Sequence, residues 1–133
     1  MPTPRDARTV LRTDAAVEAA LTLACLAVAR TRPTGAWALP HTVSRPVALG
    51  MAGILAVAAA ALAWLADRAD RAVLQALAGA NGLTAVATLA WAARGTGLGG
   101  AMRVALVGVA VALAGLSGTQ LRLALASPEV RAD

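Results

Sequence analysis

Four long apolar runs separated by short polar ones organise the chain, and run length, with no strand-like alternation, is the signal. Residues 10–29, 47–66, 72–93 and 102–126 each extend for about 20 residues or more, roughly 30 Å of helix at 1.5 Å per residue, enough to cross a hydrocarbon core. Between the first two runs lie Pro33, Pro40 and Pro46, half of the prolines, which predict a loop. Trp37 within it marks a segment dipping into the headgroups, and Pro46 suits the first turn of the next helix. Residues 67–71 read as a charged turn, residues 94–100 as a glycine-rich turn, and Ser127 begins a polar tail. The expected fold is all-α, a four-transmembrane-helix antiparallel bundle, with residues 1–133 as a single integral membrane domain.

The first run differs from the others because it carries carboxylates. At about 100° per residue, Asp14, Glu18, Thr22 and Cys25 fall on one stripe and Ala, Leu and Val fill the rest. Such a helix enters lipid only if the stripe turns inward against other helices. Its Leu and Val residues contribute about 0.3–0.6 kcal/mol each to insertion, whereas an acid at mid-membrane costs about 3 kcal/mol. Insertion therefore leans on Glu18 being near the interface or paired. A competing reading takes Arg5, Arg8 and Arg12 as the basic start of a cleaved signal and Ala27-Val28-Ala29 as its cleavage site. Glu18 inside the apolar core and Arg30 after the cut argue against it, and Thr22 argues against a lipoprotein site at Cys25.

Composition narrows the functions. The chain is 59% hydrophobic and 14% charged, far from a soluble average. Every basic residue is Arg, and Ala dominates, as a GC-rich coding genome tends to impose. The net charge of +5 lies between apolar runs, which fits membrane flanks and argues against a nucleic-acid surface. One cysteine, Cys25, and one histidine, His41, leave no internal disulfide, thiolate metal site or bis-histidine haem site within one chain. No Ser, His and Asp set or CxxC is present. The glycine run of residues 95–100 lacks the strand and Lys of a phosphate loop. The expectation is a protein that is not an enzyme, with no catalytic residue, cofactor or metal. Seven Arg flank the side of the termini and five the other side, so the termini are expected in the cytoplasm, with the chain multi-pass in the cell (inner) membrane.

Within the runs, Gly50, Gly53, Val57 and Ala61 form a small-residue seam on the second helix, and Gly108, Ala112 and Gly115 form one on the fourth. In lipid such seams let backbones approach closely, within the chain or against a homo-oligomer or partner membrane protein. On the third helix, Asn81, Thr84, Thr88 and Trp91 share a face, while Gln75, Gly79 and Gly82 share another. Antiparallel threading places Asp14, Glu18, Gln75, Gln120 and Arg122 at similar depth, with Asn81 deeper, as a candidate intramembrane polar cluster. A Glu18–Arg122 pair would remove the cost of burying either charge. The expected role is structural or partner-binding. The alternative is a proton-coupled carrier using Glu18.

The Arg12-Thr-Asp14 opening, Asn81 and Gln120 resemble the pattern of small uncharacterised four-helix integral membrane proteins of high-GC, actinobacterial-type bacteria, loosely DoxX-like. This resemblance covers residues 11–126 and implies no activity. The chain is also similar in size, helix number and first-helix Glu to the small multidrug resistance transporters, with Glu18 at the position of their acid. It lacks their pocket aromatics and has a longer first loop.

Overall fold

The computed structural model describes residues 4–126; the expected polar tail from Ser127, with Arg131 of the arginine count, lies outside the described residues. Four helices form: α1 (Pro4–Thr31), α2 (Arg45–Leu65), α3 (Arg71–Arg94) and α4 (Gly100–Ala126), with one 3-10 turn at Gly35–Trp37 between α1 and α2. The fold is an all-α four-helix bundle, with no strand among the described residues. Helix α1 starts earlier than its apolar run, because Pro4 suits a first turn and Asp6 complements its dipole. At 28 residues, about 42 Å, it is one residue longer than α4 and carries Arg5 and Arg8 ahead of its apolar run.

Helices α2, α3 and α4 are each long and apolar enough to cross a bilayer. Helix α1 is not among them, since every 18-residue stretch of it contains at least three charged side chains. The distribution of size supports a lipid surroundings: the buried hydrophobics are mostly alanines, while Ile54, Val57, Leu83 and Val104 are among the large side chains that point outward. Trp37, Trp64 and Trp91 are all exposed. Arg71 to Trp91 spans about 30 Å of helix, comparable to the thickness of a hydrocarbon core, with Trp64 near one end of the bundle and Trp91 near the other. Arg68 stacks over the Trp64 ring, 4.2 Å from its centroid.

Two hairpins make up the bundle. Helix α1 packs along α2 and α3 along α4, and the hairpins meet through α1 against α4 and through the 3-10 turn against α4. Between α3 and α4 the Ser117 hydroxyl donates to the Ala78 carbonyl at 2.7 Å, and Gly82 leaves room for it. The Arg103 guanidinium, from α4, donates to the Ala92 carbonyl and, at 2.6 Å, to that of Gly95. It thereby satisfies the free carbonyls and the negative dipole end of α3. The Asp70 carboxylate caps the other end of α3, accepting from the Val73 N–H at 2.8 Å.

The hairpins are joined at three levels. Near the termini Leu11 of α1, Ala66 capping the end of α2, Leu74 of α3 and Ala124 of α4 form a buried apolar cluster. A polar contact follows in the middle. At the loop end the Gly99 N–H donates to the Ala38 carbonyl at 2.9 Å, so closely that a methyl on Gly99 would collide with the carbonyls of Gly35 and Ala36.

The glycine seams expected on α2 and α4 do not close contacts within the chain. A side-chain carbon added at Gly50, Gly53, Gly108 or Gly115 would meet nothing within 4 Å. The cause is the polar groups: turning Gln120 into the core swings Gly115, about 140° away around α4, outward. Helix α2 correspondingly buries Ala48, Ala52 and Leu62.

Candidate functional site: a carboxylate held by two amides

Asp14 is 1% exposed, Gln120 0% and Asn81 8%, which makes these the polar groups whose partners decide whether the core is stable. Each has one. The Asn81 Nδ2 donates to Asp14 Oδ2 at 2.8 Å, and the Gln120 Nε2 donates to the same oxygen at 2.7 Å. Asn81 Nδ2 also donates to Gln120 Oε1 at 3.1 Å. One carboxylate oxygen of α1 is thus fixed by amides from α3 and α4, a three-helix clasp across the hairpin interface.

The other oxygens of the stripe are treated differently. Asp14 Oδ1 and Glu18 Oε2 are buried without a hydrogen-bond partner among the described residues. Glu18 lies one turn beyond Asp14, half-buried, so two carboxylates share one face of α1 at neighbouring positions. Thr22 and Cys25 continue this face half-buried, with the Thr22 hydroxyl donating to the Glu18 backbone carbonyl at 2.9 Å. The inward stripe therefore has one donor-saturated oxygen and two bare ones, an arrangement able to accept a proton or a small cation. Among the described residues, no three His, Cys, Asp or Glu side chains come together as a metal site.

Of the six residues of the candidate cluster, Asp14, Asn81 and Gln120 are bonded together and Glu18 abuts them along α1. Gln75 and Arg122 are exposed and outside it, and the Glu18–Arg122 pair does not form. Azimuth overrides depth here. Arg122 follows Gln120 by two residues, about 200° around the helix, so burying one exposes the other; Gln75 is about 120° from Asn81 by the same count. On α3, Thr84 and Trp91 likewise face out, and the Thr84 hydroxyl bonds its own backbone at Ala80.

Two further side chains join the helices. Ser117 lies three residues before Gln120 and therefore on its face, a spacing that identifies it as an interhelical donor. Arg103 reads as a flank residue but serves as the cap of α3, which no pattern within α3 announces. Comparison with protein-family models, with curated proteins and with solved structures gives no match.

Proposed function

We propose that the chain is a non-enzymatic, multi-pass protein of the cell (inner) membrane in which the Asp14 clasp holds two helical hairpins in one arrangement, presenting a defined outer surface to a membrane partner. The observation that carries this is the double acceptance at Asp14 Oδ2 by Asn81 and Gln120, since it joins hairpins that otherwise touch narrowly. The partner surface is the outward glycine seams of α2 and α4, which have open space before them, and a second copy of the chain or another membrane protein would lie against them. With Cys25 replaced by Ala, cysteines placed singly at Gly53 and Gly115 should form crosslinks in native membranes, whereas one at the lipid-facing Leu83 should not. Equal crosslinking at all three positions defeats the surface.

Termini in the cytoplasm follow from the arginine count. In the Cys25→Ala background, a cysteine at Thr34 should react with an impermeant maleimide in intact cells and one at Asp67 should not.

A second reading, a proton-coupled carrier similar to the small multidrug resistance type, is favoured by the bare Asp14 Oδ1 and Glu18 Oε2. It requires Glu18→Gln to abolish proton-driven uptake in proteoliposomes while the bundle stays folded. The clasp reading requires Asp14, rather than Glu18, to control folding.

A further inference from the structure

The second polar feature of the molecule lies at the opposite end. Between the end of α1, the loop into α2 and the α3–α4 turn is a half-open cleft of about 840 Å3, lined among others by Arg32, His41, Ser44, Arg45, Thr96 and Gly97. Its position is about 20 Å along α1 from Asp14, so it is separate from the clasp. The volume falls in the range of small-ligand sites, about 300–1,000 Å3.

The charge around this cleft is uncompensated. The chain has no Asp or Glu between Glu18 and Asp67, and none between Asp70 and Glu129, so every carboxylate of the described bundle belongs to the core or to the other end. Five Arg and His41 lie at the cleft end. Arg103 is occupied by the carbonyls of α3, whereas the guanidinium groups of Arg32 and Arg45 form no ion pair or hydrogen bond with the described residues. The Ser44 hydroxyl makes no cap bond to the first turn of α2, leaving its positive dipole end facing the same region. Arg32 is placed on the wall by a left-handed backbone, φ 46°, as its N–H donates to the Val28 carbonyl at 3.1 Å and closes α1.

We propose that this cleft binds a phosphate-bearing anion, with Arg32 and Arg45 as its two cationic walls and His41 and the hydroxyls of Ser44 and Thr96 as further donors. Guanidinium groups match phosphate oxygens with paired N–H donors. The cleft stands where α1 and α3 end and α2 begins, beside the exposed Trp37. That is headgroup level, where an anionic phospholipid would supply the phosphate; a soluble phosphate ester offers the same chemistry.

The test uses the full-length protein in nanodiscs of phosphatidylcholine with a minor fraction of phosphatidylglycerol, and in detergent with sn-glycerol-1-phosphate. Binding is read by native mass spectrometry and by thermal shift. Phosphatidylglycerol should be retained over phosphatidylcholine, and Arg32→Gln with Arg45→Gln should weaken retention by about thirtyfold, as expected for two cations near a lipid surface. Arg30→Gln with Arg94→Gln, at the same end but off the cleft lining, should leave it unchanged. Equal losses for both pairs would show diffuse attraction and overturn the site, as would no preference for the anionic lipid. Protection by sn-glycerol-1-phosphate equal to that by lipid keeps the phosphate site and assigns it to a soluble ester. A photoactivatable phosphatidylglycerol on the wild type guards against misfolded variants. Its label should map to residues 32–45, and labelling spread evenly to the arginines near the termini would refute the cleft.

Discussion

The two ends of the bundle are built from the same four helices and differ in what their polar groups have to bind. Towards the termini, Leu11, Ala66, Leu74 and Ala124 close the apolar core, and just inside them one carboxylate oxygen takes the donors of two amides. At the loop end the helices part around a cleft whose cations have no carboxylate within reach. Buried polar groups that complete each other's bonds fix a geometry, because any departure leaves a donor or acceptor stranded. Cations left without counter-charge keep their capacity for something outside the chain. The contrast assigns holding to one end and receiving to the other.

The sharpest way to break this division is at the clasp. Asp14→Leu leaves the buried Gln120 Nε2 without an acceptor and Asn81 Nδ2 with Gln120 Oε1 alone; at about 1–3 kcal/mol for an unsatisfied group, a loss of about 3 kcal/mol is expected in detergent or bicelle unfolding. Asp14→Asn should be milder, because one amide oxygen can take both donations, with its NH2 in the place of the unpartnered Oδ1 as the remaining cost. A loss equal to that of Leu would mean that the charge matters beyond the bonds. At the loop end, Gly99→Ala forces a methyl against backbone carbonyls, an overpacking cost of about 2 kcal/mol. It should raise hydrogen exchange around Ala38 while sparing the clasp; exchange rising equally at both ends would merge them into one unit. Arg103→Gln removes a charged cap from α3, worth about 1–2 kcal/mol, and should fray the last turn of α3 first. Smallest of all is the coupling of Glu18→Gln with Arg122→Gln. Since the two side chains do not meet, their effects should add within about 0.5 kcal/mol in a double-mutant cycle.

The helices were largely legible because each has a local cause. Apolar length set three spans, and Pro46, Asp70 and the glycines after Arg94 marked their ends within a few residues. The early start of α1 has no apolar signal, because residues 4–9 are polar as a flank would be, yet they continue the helix ahead of its apolar run. The site was half legible. Asp14 on its stripe, and Asn81 and Gln120 as amides in apolar runs, stood out by type. The pairing went astray because opposite charges at matching depth pointed to Arg122, while rotation of α4 was set by burial of Gln120 two residues earlier. The cleft was invisible, since it depends on a left-handed Arg32 and on a loop resting against Gly97 and Gly99, contacts made across more than 50 residues.

The clasp also carries a consequence for the order in which the protein comes into being. Asp14 is bonded to residues 67 and 106 positions further along the chain. At the pace of synthesis, roughly 5–20 residues per second, Gln120 emerges about 5–20 s after Asp14. Asn81 arrives earlier, 67 residues after Asp14, so α1, the most charged of the four helices, first has no amide and then only one to take its carboxylate. The first helix to leave the ribosome is thus the last to complete its bonds, and its final seating waits for the arrival of α4.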